Sequence, residues 1–388
     1  MRSNALAMPS GHDLSQPDDI VDDELKLIAK CENNSKTMRT EMSIHEEAEQ
    51  IRDKLNKERD TIVSVALFGQ PGAGKSSLIN MIVGKDVAEV GVETDKTVEA
   101  GSYESNGLRF VDLPGYGTSK FPKDAYFDRF DIQKFDLFLC VTSGKLHDAD
   151  TEFFNELARR GKVCIFVVNK EDELWERGVT TEELKKRKVD DISSHVGRPI
   201  KVLFTSCRTE AGLDELNTEI KNNLDGAKRE RWLRGAKAYS VHFLQEKKEA
   251  CEKYVTVAAA ASALNAINPI PGADIAVDFS ILLKLFSEIR DAYGLSEAAL
   301  GKLKESAIPI VGRLANNVLQ YAAKEGLLLL MKNMLGKQTL KELSKYVPLV
   351  GQAIAATAGY AIASSVGSAY LEDCHDLAQQ ILEHKLDL

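Results

Sequence analysis

The sequence predicts a parallel α/β domain joined to an all-helical domain, and three observations lead to this prediction. Short runs rich in Val, Ile, Leu and Phe occur between residues 63 and 206, namely VSVALF, RFVDL, DLFLCVT, VCIFVVN and VLFTS. Stretches of helical character separate these runs, as they do when helices cover both faces of a parallel sheet. After residue 225 no strand pattern remains, and helical sequence continues to residue 388.

Length and composition support two folded domains. A chain of 388 residues is long for a single core, and its 44% of hydrophobic residues is typical of globular proteins. We place the α/β domain at residues 61–225 and the C-terminal helical domain at residues 226–388. Residues 1–60 are an N-terminal helical segment with sparse apolar side chains, so we expect it to complete the helical domain. Within this segment, residues 1–17 are expected to be disordered.

Charge and cysteine usage narrow the class of protein. The net charge of −9 argues against a protein that binds nucleic acid through bulk electrostatics. The six cysteines are scattered without a C-x-x-C pair, which indicates reduced thiols. The first residues contain no apolar stretch of the kind that a secretory signal requires. We therefore expect a cytoplasmic protein with no nucleic-acid partner.

The first run leads into the loop GQPGAGKS, which fits the pattern G-x-x-x-x-G-K-[ST] between a strand and a helix. Its glycines let backbone N–H groups close around phosphates, and the helix N-terminus adds positive potential. Lys75 would neutralise the β- and γ-phosphate oxygens and Ser76 would ligate Mg²⁺. A chance glycine turn is the alternative interpretation. The phosphate-binding candidates are Gly69, Gly72, Gly74, Lys75, Ser76 and Ser77.

The second run ends at Asp112, which opens the sequence DLPG. A carboxylate at the end of this strand is placed to hold Mg²⁺, usually through water, while the Gly115 N–H faces the γ-phosphate. A simple strand-ending turn is the alternative. A threonine that also ligates Mg²⁺ is expected between the two motifs. Of the candidates Thr94 and Thr97 we prefer Thr97, because the strand-like VEAGSY follows it.

The run VCIFVVN ends in the sequence NKED, which indicates recognition of a guanine base. Asp172 can accept hydrogen bonds from the N1–H and the exocyclic amine of guanine, which adenine does not offer in that arrangement. Asn169 can contact the other edge of the purine, and the stem of Lys170 can cover the base. Ser206 and Cys207 follow the next run and could present backbone N–H groups to guanine O6. A solvated loop of mixed charge is the alternative.

Three ordered motifs predict a Ras-like P-loop GTPase domain that binds GTP or GDP with Mg²⁺ and hydrolyses GTP. One position raises a question about the hydrolysis step. Tyr116 stands where small GTPases usually keep the glutamine that orients the attacking water.

Two stretches of the GTPase domain resemble the immunity-related GTPases, which are dynamin-like proteins. DLPGYGTSKFPKDAYFDRFDIQKFDLFLCVTS is similar to their switch region, and GVETDKTVEAGSY to their first switch, where Thr97 falls on the family's threonine. NPIPGADIAVDFSILLKLFSEIRDAYGLS resembles their helical domain and also a helical domain attached to some bacterial GTPases. The resemblance implies an intracellular defence role, in a vertebrate effector or in a bacterial or early-branching relative.

The chain departs from this family at Asn169, where many members carry threonine, and at Gln70, where they often carry glutamate. Gln70 is retained as a candidate catalytic residue. In the family a hydrophobic residue replaces the catalytic glutamine, as Tyr116 does here, and two nucleotide faces meet to accelerate hydrolysis. The resemblance thus implies a GTP-dependent homodimer or oligomer. The alternatives are that Tyr116 only packs and a separate activator, for example on the ribosome, is needed, or that the chain is a GTP-binding scaffold.

The helical domain contains an apolar stripe at helical spacing, which predicts a core-facing helix. The stripe consists of Phe279, Leu282, Phe286, Ile289 and Tyr293.

Residues 347–371 carry no charge and are long enough to span a bilayer. Their Ala, Gly, Ser and Thr content instead favours a tightly packed helix pair with residues 255–270. The basic stretch 228–237 faces either anionic lipid or solvent at the domain joint. Peripheral association with an anionic membrane surface is therefore a second expectation.

Overall fold

The computed structural model describes residues 61–88, 101–265, 279–331 and 351–386, together with residues 53, 57 and 60. Thr97, nearly all of the segment 1–60 and residues 347–350 lie outside this description. The described residues belong to one compact unit. The boundary between residues 225 and 226 falls within that unit and stays a prediction.

Six strands of the described residues form a single sheet in the order β2-β3-β1-β4-β5-β6. All neighbouring strands run parallel except β2, which pairs antiparallel with β3. The predicted parallel sheet is therefore confirmed, with β2 as an antiparallel edge strand. The strands are β1 (Val63–Phe68), β2 (Gly101–Ser105), β3 (Leu108–Asp112), β4 (Leu137–Thr142), β5 (Cys164–Asn169) and β6 (Val202–Thr205).

Helices cover both faces of the sheet, as buried strands such as β1 and β4 require. They are α1 (Lys75–Val83), α2 (Lys123–Arg129), α3 (Asp148–Arg159), α4 (Thr181–Val196) and α5 (Leu213–Asn222). Leu78 of α1 and Leu216 of α5 contribute to the core on one face. Phe153 of α3 and Ile192 of α4 contribute to the core on the other.

The rest of the described chain is helical and has a core of its own. Its helices are α6 (Gly226–Gly235), α7 (Val241–Asn265), α8 (Phe279–Ala292), α9 (Glu297–Lys304), α10 (Pro309–Tyr321) and α11 (Gly351–His384), and residues 324–331 are also helical. Leu282, Phe286, Ile289 and Tyr293 of the predicted stripe are buried in this core. Phe286 stacks on Tyr370 of α11 with a distance of 3.8 Å between ring centres.

The uncharged stretch forms much of α11, and α11 packs on α7 as the small-residue pattern predicted. A Cβ atom at Gly367 would lie 2.8 Å from Val255 Cγ1 and 3.2 Å from Leu285 Cδ2. This glycine therefore allows the two helices to approach closely. Within the described ranges, no helix combines the length and the apolar character that crossing a membrane requires.

Helix α6 carries the basic stretch, and the structure buries its centre between sheet and helices. Trp232 is 0% exposed; its ring lies 6.3 Å from that of Phe110 in β3, and its Nε1 donates to Asn217 O at 3.2 Å. Arg234 is only 7% exposed. The expectation of a solvated or lipid-facing helix is therefore wrong for these residues, because apolar packing of Trp232 pins α6 against the sheet.

Candidate nucleotide-binding site

The loop between β1 and α1 has the backbone geometry that its glycines predicted. Gly69 and Gly74 take φ values of 128° and 87°, a region that favours glycine. A Cβ at Gly69 would meet Val141 O at 2.0 Å, and one at Gly74 would meet Asn169 Nδ2 at 2.4 Å. Only glycine fits at either position, so the loop can lie flat against the ends of β4 and β5 with the N-terminus of α1 facing it.

The ammonium group of Lys75 lies at the centre of this loop. It donates to Gly69 O at 3.0 Å and to Gln70 O at 3.1 Å, and the side chain is 9% exposed. Its Nζ is also 3.7 Å from Asp112 Oδ1. The cation is thus held where a phosphate oxygen entering the loop would meet it.

Asp112 ends β3 and presents a carboxylate oxygen that lacks a donor. Its Oδ1 is buried and accepts no hydrogen bond from the residues that the structure describes. Burial raises the pKa of this carboxyl, and the neighbouring charge of Lys75 opposes the rise. An orphaned carboxylate oxygen fits a hard cation such as Mg²⁺ or one of its waters. Ser76, which directly follows Lys75 at the start of α1, is half-buried. Thr97, the third candidate ligand, lies outside the described residues.

Asn169 is buried at the end of β5, and both ends of its amide are bonded within the protein. Its Nδ2 donates to Ala73 O at 2.9 Å, and its Oδ1 accepts from Thr205 Oγ1 at 3.1 Å and from Cys207 Sγ at 3.6 Å. The amide therefore joins the phosphate loop to β5 and β6. From the sequence, Asn169 was predicted to contact the purine edge. The hydrogen bonds by which it connects the phosphate loop with β6 were not predicted.

The carboxylate of Asp172 is held from two sides. Ser206 Oγ donates to its Oδ1 at 2.5 Å, and Arg208 Nη2 lies 2.6 Å from its Oδ2. The bond from Ser206 lowers the pKa of Asp172, and the charge of Arg208 acts in the same direction. Ser206 Oγ in turn accepts from the backbone N–H groups of Arg208 and Thr209. Arg208 is exposed in a loop, so nothing in the sequence pattern pointed to it.

Lys170 lies between Asn169 and Asp172, where the chain turns away from the end of β5. Its φ of 63° places it in the left-handed region, where a residue with a side chain is uncommon. Conformations of this kind persist where the surroundings enforce them and are frequent at binding sites. Here the left-handed conformation of Lys170 allows Asn169 to point into the protein while Asp172 stays at the surface.

Beside the DLPG turn, the side chain of Tyr116 packs in a cluster of aromatic rings. Its ring stacks on Phe153 at 4.9 Å and lies edge-on to Tyr126 at 5.2 Å. Tyr126 OH fixes the turn by donating to Pro114 O at 2.6 Å. The next residue after Pro114, Gly115, is exposed. Tyr116 therefore belongs to an aromatic cluster, and this position carries no amide that could orient a water molecule.

Gln70, the other candidate catalytic residue, is held by the segment that precedes and opens α3. Its Nε2 donates to Lys145 O. Burial raises the pKa of Asp150, while the charges of His147 and Lys75 and the bond from Gln70 oppose the rise. Sequence reasoning did not find Asp150, because it belongs to none of the motifs.

Comparison with known proteins gives the family. A family model described as Interferon-inducible GTPase (IIGP) matches residues 29–320. Interferon-inducible GTPase 5 of Bos taurus is 27% identical over 303 residues, which cover 73% of this chain and 65% of that protein. Interferon-gamma-inducible GTPase 10 of Mus musculus is 29% identical over 126 residues, or 29% of each chain. GTPase Der of Sulfurihydrogenibium sp. (strain YO3AOP1) is 32% identical over 171 residues, 41% of this chain and 37% of that protein.

The chain thus spans 65% of the length of the bovine protein and of its Rattus norvegicus counterpart. The match to the family model covers well over half of the chain. The chain belongs to the interferon-inducible GTPase family, which confirms the resemblance found in the sequence.

Proposed function

We propose that this chain is a Mg²⁺-dependent GTPase that completes hydrolysis when two GTP-loaded copies pair through their nucleotide faces. The arrangement of the motifs supports the binding half of this proposal. The phosphate loop follows β1, Asp112 ends β3, Asn169 ends β5 and Ser206 follows β6. All four lie at the carboxyl edge of parallel strands, where α/β sheets bind their ligands.

In this proposal each group has one task. Lys75 neutralises the β- and γ-phosphate oxygens, while Asp112, Ser76 and Thr97 hold Mg²⁺, which spreads the developing phosphate charge when bound. Asp172 selects guanine over adenine. The remaining phosphate and base contacts come from Gly69, Gly72, Gly74, Ser77, Lys170, Ser206 and Cys207, with the Gly115 N–H on the γ-phosphate.

The observation that carries the pairing is the position of Tyr116. Its ring is stacked on Phe153, so the residue that usually orients the attacking water is replaced by a packed aromatic. The amide of Gln70, the other candidate catalytic residue, donates to Lys145 O. A group from a second copy would supply what this chain lacks, and this agrees with the dimerisation that the family resemblance implies. Gln70 contributes from its anchored position.

We further propose that the helical domain converts this pairing into peripheral association with, or remodelling of, an anionic membrane surface by a cytoplasmic protein. Pelleting with anionic vesicles in the presence of GTP tests this part. Absence of binding with every nucleotide would contradict it.

The test of self-completed hydrolysis is GTP turnover per molecule as the protein concentration is raised, in Mg²⁺ and without lipid. We expect the specific activity to climb with concentration, because pairs form only as copies meet. Lys75→Ala is the control for contaminating activity, since it removes the cation of the phosphate loop. A slow rate that stays flat would overturn the pairing and leave a separate activator as the source of the missing group.

A further inference from the structure

A cavity of about 140 Å³ lies where the turn between β2 and β3 meets helices α6, α7 and α8. Asn106 of the turn, Arg231 and Arg234 of α6, Tyr254 of α7 and Glu288 of α8 line it. None of the nucleotide-site candidates that the structure describes borders this cavity. It is therefore a separate feature of the molecule, at the joint between the sheet and the helical region.

The cavity contains two guanidinium groups that form no ion pair with the residues that the structure describes. Within the described ranges, no carboxylate oxygen lies within 4.0 Å of Arg231 or Arg234. Arg231 Nε is fully buried and donates to no described residue. The guanidinium of Arg234, a residue only 7% exposed, lies 4.9 Å from the ring centre of Tyr254.

Arg234 is buried and Arg231 is partly buried, so two like charges at this place are unfavourable unless something compensates them. Burial lowers the pKa of Arg231, and the charge of Arg234 acts in the same direction. Glu288 of α8 and Asp60 oppose this effect, both at more than ion-pair distance. Buried charges in proteins are normally paired, and a buried donor without a partner commonly marks an ion that binds there.

We infer that this cavity binds a phosphate group between the guanidiniums of Arg231 and Arg234. The planar fork of arginine matches the oxygens of a phosphate in bidentate fashion, and two forks at one place suit a dianion. The volume exceeds several times the ~30 Å³ share of one water molecule, so a phosphate has room. Glu288 and Asp291 also line the cavity, which confines the anion to the α6 side.

The phosphate could be free in solution or the monoester headgroup of a lipid, because the recognising chemistry is the same. The experiment therefore has two arms, both with GDP and Mg²⁺ in excess so that the phosphate loop is saturated. One arm follows the melting temperature of the full chain during titration with inorganic phosphate. The other measures binding to phosphatidylcholine vesicles with and without phosphatidylinositol 4-phosphate.

Arg231→Gln and Arg234→Gln each remove one guanidinium group from the cavity. Arg231→Gln is the variant expected to fold normally, because Arg231 is only partly buried. Lys228→Gln is the matched control, since Lys228 is on the same helix and pairs with Asp136 away from the cavity. We expect the arginine variants to lose at least tenfold in affinity for one source, and Lys228→Gln to bind as the wild type does. Binding in neither arm, or binding that all four proteins share, would overturn the inference.

Discussion

Ser206 and Arg208 hold Asp172 in the ionised form that the proposed recognition of guanine needs. Because the bond from Ser206 lowers the pKa of Asp172 below its ordinary value of 3.8, the carboxylate of the wild type stays charged as the pH falls from 7 to that value. Ser206→Ala removes that bond, so the pKa rises and the charge is lost at higher pH than in the wild type. We expect GDP affinity to fall by roughly three- to tenfold, and by a larger factor at about pH 4 than at about pH 7.

Titration with fluorescent GDP at both pH values measures the affinities of the variant and the wild type. The ratio of these two affinities at each pH removes the effect of protonation of the nucleotide itself. Thr209→Ala is the control, because Thr209 bonds Ser206 only through its backbone N–H. An Ser206→Ala variant with wild-type affinity at both pH values would show that Arg208 alone orders the carboxylate.

Tyr116 allows the packing and the chemical roles of one side chain to be separated. Its ring contacts Phe153 and Tyr126, while its hydroxyl bonds to none of the residues that the structure describes. Tyr116→Phe is expected to keep turnover within about twofold. Tyr116→Ala is expected to lose both turnover and about 1–3 kcal/mol of stability, since it opens the aromatic cluster. GTP turnover and urea unfolding are measured for both variants. If Tyr116→Phe lost as much turnover as Tyr116→Ala, the hydroxyl would have a chemical role.

For individual residues, the sequence predicted which side chains lie together in the candidate nucleotide site, because each motif has to follow a particular strand. It did not predict the hydrogen bonds and ion pairs that hold these side chains in place. The bond from Asn169 to Ala73 O and the ion pair of Arg208 with Asp172 depend on how β5, β6 and the phosphate loop pack, and no local pattern encodes that packing.

Among the helices, the most unusual link is the buried Lys247 of α7. Its Nζ donates to Arg234 O at the end of α6 and to Ala292 O at the end of α8, at 2.9 and 2.7 Å. It therefore satisfies carbonyls at two helix C-termini at once. A neutral amine has two N–H donors, and these two carbonyls use both.

Burial lowers the pKa of Lys247 from 10.5 to about 8, and this has a consequence for stability. Between pH 8 and 10.5 the unfolded chain binds a proton at this lysine that the folded chain does not. Stability from this group therefore rises with pH across that window and is lost as the pH falls through 8. The shift corresponds to roughly 3 kcal/mol.

Lys247→Met tests this link by urea unfolding between pH 7 and 10.5. The variant leaves two helix-end carbonyls without a donor, at a cost of about 1–3 kcal/mol each at high pH. We expect wild type and variant to diverge as the pH rises. Lys253→Met, which changes an exposed lysine of the same helix, should track the wild type. Parallel curves for Lys247→Met and wild type would mean that Lys247 does not titrate in this window.

The contact of α11 with α7 reverses the usual effect of replacing a helical glycine. Alanine is favoured over glycine in a helix by about 1 kcal/mol, so Gly301→Ala in α9, with open space around it, should stabilise the chain. Gly367→Ala should destabilise it, because the new Cβ would lie 2.8 Å from Val255 Cγ1. Thermal unfolding of the two variants compares them directly. A stabilised Gly367→Ala would mean that the helices are not in close contact.

Over the whole molecule, the sequence specified the α/β region better than the helical region. Strands of a parallel sheet are buried on both faces and stand out as apolar runs, so their positions could be predicted. The helical region offered one clear stripe, Leu282 to Tyr293, and a small-residue segment compatible with either lipid or protein contact. The burial of α6 through Trp232 was hidden, because its basic neighbours Lys228 and Arg229 suggested an exposed helix.

The hairpin of β2 and β3 runs from the proposed nucleotide site to the cavity that contains Arg231. Asp112 pairs with Gly101 at one end of the hairpin, beside the phosphate loop. At the other end, Asn106 Nδ2 donates to Asp291 O at 3.0 Å, and Arg231 packs on the turn at Gly107. Strands of five residues span about 17 Å, so one rigid element reaches from the proposed Mg²⁺ site to the proposed phosphate cavity.

If the hairpin transmits the nucleotide state, phosphate affinity at the cavity should differ between chains loaded with GDP and with a non-hydrolysable GTP analogue. Coupling of binding is reciprocal, so phosphate should change the affinity ratio of the two nucleotides by the same factor, which for typical couplings is about 5- to 150-fold. Gly107→Ala should abolish the difference, because its Cβ would lie 1.8 Å from Arg231 Nε and would displace that guanidinium. Phosphate titrations in both nucleotide states measure the effect, with Gly301→Ala as the glycine control. Equal phosphate affinities in the two states of the wild type would show that the cavity binds its anion for the stability of the joint alone.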